Sequence, residues 1–103
     1  MLHSKQRAYL MKLASNTQPI FQIGKASLTP EIVAAVSDAL EKRELIKITV
    51  LKNCFDDPRE MASILAERTH SEVVQVIGKK IVLFRISKKK PKIELPQVKN
   101  TQL

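Results

Sequence analysis

Acidic side chains are missing from the first thirty positions of this 103-residue chain, and again from Val73 to Ile93. The first gap carries Lys5, Arg7, Lys12 and Lys25; the second carries Lys79, Lys80, Arg85, Lys88, Lys89, Lys90 and Lys92. The formal net charge is +8, and the stretch between the gaps is nearly balanced. Such asymmetry argues for one basic face built from both ends of a domain, and so for a polyanionic partner. Tryptophan is absent, and Tyr9, Phe21, Phe55 and Phe84 are the whole aromatic supply. That argues against a sheet that reads RNA by stacking bases on several aromatics. Cys54 stands alone, which excludes an intrachain disulfide and fits a reducing cytoplasm. No run is long and apolar enough to span a bilayer, and no signal-type segment opens the chain, so neither a membrane partner nor secretion is expected.

Groups for catalysis are equally sparse. His3 and His70 lie far apart, and neither has a cysteine or carboxylate at metal-ligand spacing. Asp57 reads as a helix cap and Asp56 as a solvated loop residue. Cys54 has no nucleophile signature around it and reads as a structural thiol. The expectation is a protein that is not an enzyme, with no metal, cofactor or small-molecule substrate.

What is present is a regular alternation of helix and strand signals. Apolar positions one turn apart (Tyr9 and Leu13, Leu10 and Ala14) predict a helix over about Lys5 to Ala14, capped by Ser4, with Lys5, Arg7 and Lys12 on its wetter side. Ile20, Phe21 and Ile23 form a short strand. Thr29 and Pro30 open a second helix, with Ile32, Val36, Ala39 and Leu40 as its apolar stripe and an end near Arg43 or Glu44. Leu45 to Leu51 alternates as a strand, with Ile46, Ile48 and Val50 on the core side. Asp57, Pro58 and Glu60 start a third helix that runs to about Thr69. Val73–Ile77 and Lys80–Ile86 form a hairpin whose Gly78-Lys79 loop suits a type II′ turn. Two strand-helix-strand units should place parallel strands side by side, with an antiparallel hairpin added. The predicted class is α/β (α+β): a mixed four-stranded sheet with packed helices. Residues 1–87 make one domain, and 88–103 a basic, loosely ordered tail.

Gly24-Lys25-Ala26-Ser27 joins the first strand to the second helix. It lacks the Walker ending and the dinucleotide fingerprint. A short glycine-bounded loop before a helix can grip nucleic-acid backbone, with Gly24 allowing close approach and Lys25 supplying charge. The same residues also suit a plain strand-to-helix turn that needs Gly24 for its φ angle. The surrounding charge favours binding; acidic side chains across the bend, or burial of Lys25 in the interior, would overturn it. Arg43, Lys47, Lys79, Lys80 and Arg85 are further candidates. Lys47 and Arg85 sit opposite in parity to Ile46, Ile48, Phe84 and Ile86, on what would be a basic platform if no helix covers it.

Four segments together resemble a known family: Ser4-Lys5-Gln6-Arg7, Pro19-Ile20-Phe21-Gln22-Ile23-Gly24-Lys25, Arg43-Glu44-Leu45-Ile46-Lys47, and Gly78-Lys79-Lys80-Ile81-Val82-Leu83-Phe84-Arg85. In this order they are similar to the bacterial YhbY (YqeI) proteins, single-domain members of the CRM group (chloroplast RNA splicing and ribosome maturation). The resemblance runs over about Leu2 to Pro96. It implies a small α/β RNA-binding fold, similar to the C-terminal domain of translation initiation factor three. It also implies association with precursors of the large ribosomal subunit and a role in their assembly, with RNA gripped by a GXXG loop and neighbouring basic residues. Here that loop is Gly24, Lys25, Ala26 and Ser27, with Ser27 where the family usually has glycine.

The expected RNA contacts are therefore Gly24, Lys25, Ala26, Ser27, Lys5, Arg7, Lys12, Arg43, Lys47, Lys79, Lys80 and Arg85, in a cytoplasmic, monomeric RNA-binding protein whose partner is ribosomal RNA. An adaptor whose basic face meets an acidic ribosomal protein or assembly factor is the alternative. A duplex-DNA reader fits less well, because the second helix is acidic on its wet side through Glu31, Asp38 and Glu41.

Overall fold

A computed structural model describes residues 2–97. Helix α1 spans Ser4–Ala14, strand β1 Pro19–Ile23, helix α2 Pro30–Arg43, strand β2 Leu45–Val50, helix α3 Pro58–Thr69, strand β3 Glu72–Ile77 and strand β4 Lys80–Phe84. The start signals of α2 and α3 work as their residue types dictate. Thr29 Oγ1 accepts the Ile32 N–H at 3.2 Å, Asp57 Oδ1 accepts the Arg59 N–H at 3.1 Å, and a proline follows each cap. At α1 the cap lies one residue earlier than expected: His3 precedes the helix, and Gln6 Oε1 accepts its N–H at 3.1 Å. Gly78 alone in the β3–β4 loop takes a positive φ (56°), as a type II′ turn requires at its first position.

The sheet order is β1-β2-β4-β3. β1 and β2 are parallel neighbours, joined through α2 as expected. β2 and β3 are not neighbours: β4 enters between them and pairs antiparallel with both. The reason lies in composition. Ile81-Val82-Leu83-Phe84 is buried on both faces, which suits a central strand, whereas β3 carries Glu72 and Gln75 and takes the edge.

Strand alternation sends side chains to two cores. Ile23, Ile46, Ile48, Ile81 and Leu83 pack under α2 and α3 with Val36, Leu40, Met61 and Leu65. Leu45, Val74, Val82 and Phe84 pack under α1 with Leu10 and Ala14. Fully burying one such leucine is worth about 1.5–3 kcal/mol. The α3 stripe is Met61, Ala62, Leu65 and Thr69; Ile64 and Arg68, which the spacing would also allow, stay exposed.

Residues 88–97 contain no helix or strand, yet they are tied to α2. The Glu44 carboxylate accepts the N–H groups of Ser87 (2.7 Å), Lys92 (2.8 Å) and Ile93 (2.7 Å). Glu41 accepts from the Ser87 hydroxyl at 2.6 Å and from the Lys88 and Lys89 N–H groups. Ile93 and Leu95 then pack against the α1-side core. The expected tail thus has an anchored part; positions 98–103 lie outside the described residues.

Candidate nucleic-acid interface

The parallel pairing of β1 and β2 decides what the loops can do together. Both strands run out at the same end of the sheet, where the Leu51 N–H bonds to the Ile23 carbonyl at 2.8 Å. The β3–β4 turn arrives there too, since the Val50 N–H bonds to the Lys79 carbonyl at 2.7 Å. One end of the sheet therefore collects the Gly24–Ser27 loop, the segment after β2 and the hairpin tip. Lys25, Lys79 and Lys80 are exposed there. So is Lys52, which motif reading missed; its signal was its place just after a strand parallel to β1.

The Gly24–Ser27 loop is a β-turn closed by the Ser27 N–H on the Gly24 carbonyl at 2.9 Å. Its two ends differ from the plain-turn reading. Gly24 does not take a positive φ; a side chain there would instead crowd Asn53, whose Oδ1 lies 3.2 Å from the position of a Cβ. Ser27 occupies the left-handed region at φ 57°, a conformation glycine adopts without steric cost. The Ser27 hydroxyl donates to the Asp56 carboxylate, and Glu60 lines the same side of the loop. An acidic group thus does face the bend, at its Ser27 end. Lys25 and Ala26, at the apex, remain exposed. Helix α2 also offers fewer donors than the sequence suggests, because Pro30 has no N–H and the Ile32 N–H is spent on Thr29.

A second group of cations forms on the α1 side of the sheet. Helix α1 covers only the half of that face around Leu45, Val74 and Phe84. Beyond it, Lys12, Lys47 and Lys80 line one open groove of about 480 Å³ together with Met11, Gln75 and Ile77. Lys80 Nζ donates to Thr49 Oγ1 at 3.4 Å.

The remaining candidates fall elsewhere. Lys5 opens α1 and Arg43 closes α2, both exposed and both toward the opposite end of the sheet. Two arginines are redirected. Arg7 is half-buried, and its guanidinium donates to the Val73 carbonyl and, at 3.1 Å, to the Val74 carbonyl, pinning α1 to β3. Arg85 does not share a face with Lys47. The register sets Lys47 beside Val82 and Leu45 beside Phe84, so Lys47 belongs to the α1 side and Arg85 turns toward α2 and α3. There it donates to the Thr69 carbonyl (2.6 Å), the Ser37 carbonyl (2.7 Å) and the Ser37 hydroxyl (3.1 Å), with Glu41 at 3.9 Å. These bonds knit the end of α3 to α2. Arg85→Ala is expected to lower unfolding free energy by about 2–4 kcal/mol, measured by urea denaturation, because it removes four contacts that join α3 to α2 and leaves the partly buried Thr69 and Ser37 carbonyls without this donor.

Glu41 and Glu44 are held below the ordinary glutamate range. For Glu41 the Ser87 hydroxyl is the main cause, followed by the Lys88 N–H. For Glu44 burial pushes the value up, and the backbone bonds from Ser87, Ile93 and Lys92 outweigh it. Cys54 is buried with its Sγ 3.9 Å from the Met61 sulfur. Among the described residues no group of three His, Cys, Asp or Glu could hold a metal, and no helix is long and apolar enough to cross a membrane.

A three-layer α+β domain with lysines gathered on one sheet end and one half-bare face is a scaffold suited to a polyanion. Residues 2–85 match the CRS1/YhbY (CRM) domain, and the chain belongs to that family. It is 43% identical over 96 residues to the Probable RNA-binding protein YqeI of Bacillus subtilis, covering 93% of this chain and all of the relative. It is 32% identical to an RNA-binding protein of Haemophilus influenzae, covering 93% of this chain and 96% of the relative. The solution structure of a hypothetical protein from Staphylococcus aureus shares the fold with a TM-score of 0.78 at 53% identity, over 93% of this chain and all of that one.

Proposed function

We propose that the protein binds RNA as a monomer in the cytoplasm, without catalysis, and that its partner is ribosomal RNA in precursors of the large subunit, whose assembly it assists. The observation that carries the RNA reading is the convergence of Lys25, Lys52, Lys79 and Lys80 on one sheet end, beside the groove of Lys12 and Lys47. Exposed lysines from separate loops have no structural need to gather, and their mutual repulsion is relieved by a chain of phosphates. The relatives' names as RNA-binding proteins support the same partner. The ribosomal assignment rests on family resemblance. Within the loop, Lys25 and Ala26 approach the backbone, while the Ser27–Asp56 bond makes the other end a brace rather than a grip.

Ultraviolet crosslinking in cells, followed by sequencing of the attached RNA, tests this. Reads concentrated in large-subunit precursor RNA are expected. Reads scattered over unrelated transcripts would remove the ribosomal part. Attachment to ribosomal particles that survives complete RNase digestion would favour a protein partner instead.

A further inference from the structure

The groove between the C-terminal turn of α1 and the uncovered half of the sheet differs from an ordinary phosphate track. Its rim is cationic: Lys12 comes from α1, Lys47 from β2 and Lys80 from β4, and no carboxylate lines it. Its walls are apolar: Met11 and Val82 lie inside, and Ile77 at the end of β3 is 60% exposed with no helix above it. Gln75 sits between, and its side-chain amide has no hydrogen-bond partner among the described residues. The volume of about 480 Å³ falls in the range of small-ligand clefts.

Phosphates alone would use the lysines and leave the apolar walls wet. A ligand that satisfies every part is anionic at one side, flat and apolar on its faces, and polar at one edge. A nucleotide has all three properties. In a duplex its faces are stacked on neighbouring bases and closed to the apolar walls, so the nucleotide must be unpaired.

We propose that this groove holds the base of an unpaired RNA nucleotide against Met11, Val82 and Ile77, with Gln75 at the base edge and the flanking phosphates on Lys12, Lys47 and Lys80. The proposal rests on the RNA-binding reading and adds a preference for single strands. It assigns readout to aliphatic side chains, since the described aromatics lie outside the groove.

Binding of the full chain to an unstructured ten-nucleotide RNA and to the same RNA annealed to its complement tests it. The single strand is expected to bind at least tenfold more tightly. Ile77→Ala, at an exposed position where folding is not at stake, should weaken single-strand binding about fivefold and leave duplex binding within twofold. A 2-aminopurine placed in the strand should change its emission on binding to the natural protein and much less with Ile77→Ala. Equal affinity for strand and duplex, or no effect of Ile77→Ala, would overturn the groove assignment while leaving RNA binding intact. Absence of binding to either RNA, with capture of a glutamate-rich peptide instead, would overturn the RNA reading and the groove assignment with it.

Discussion

Glu44→Ala is expected to cost about 3–5 kcal/mol of unfolding free energy, a large share of what a domain of this size possesses. Three backbone N–H groups, from Ser87, Lys92 and Ile93, converge on this one carboxylate, and the residue has no exposed surface. Removing the acceptor strands the buried Ser87 N–H and takes the partner from two partly buried ones. The Glu44 main chain adds to the effect of position: it caps α2 through Leu40 and accepts the Arg85 N–H at 2.9 Å. Its φ of 67° is unusual for a side-chain-bearing residue, so the carboxylate bonds also offset local backbone strain. Loss of the anchor should free Ile93 and Leu95 from the α1-side core, and proteolysis near Lys88–Lys92 should accelerate. Urea denaturation of the variant measures the first effect; limited trypsin digestion measures the second.

The same carboxylate gives the fold a pH dependence with a definite sign. Its value is lower in the folded than in the unfolded chain, so the folded state binds fewer protons. The stabilisation is complete above the ordinary glutamate range, about pH 4.3, and drains away as pH falls through the lower folded value. Glu41 contributes in the same direction. The acid limb of the natural protein should flatten in Glu44→Ala.

Replacing Lys25, Lys47, Lys79 and Lys80 together by Ala should reduce RNA affinity by two to three orders of magnitude near 0.1 M salt. For single strands the slope of log affinity against log salt changes by roughly 0.7 per phosphate neutralised, so four lost contacts remove about 3 from it. All four side chains are at least partly exposed, so the fold should survive. Arg7→Ala and Arg85→Ala should behave in the opposite way, destabilising the protein while leaving the salt slope unchanged, because their guanidinium groups are bonded to main-chain carbonyls. Filter binding across a salt series separates the two patterns.

Much of the fold was legible because its signals are local. Thr29-Pro30 and Asp57-Pro58 start helices through atoms two or three residues away, and Gly78 sets its turn by itself. The strand order was not, since the insertion of β4 between β2 and β3 depends on which strand is apolar on both faces once helices cover them. The site was legible by charge and misread by partner. Lys47 and Arg85 look alike in sequence, and only the register of β2 against β4 sends them to opposite faces. Glu44 showed as a helix end but not as an anchor, because the donors it meets lie more than forty residues away. The left-handed residue of the loop is Ser27, with Asp56 as its brace, and not Gly24, which instead answers the crowding of Asn53.

One end of the sheet, with the adjoining groove, is proposed as the surface that meets RNA. Amide chemical shifts recorded during titration with a short single-stranded RNA test it most directly. The resonances expected to move are those of Lys25, Ala26, Lys47, Lys52 and the Gly78–Lys80 turn. Movement confined to Lys42, Arg43 and Lys89–Lys92, at the opposite end, would contradict it.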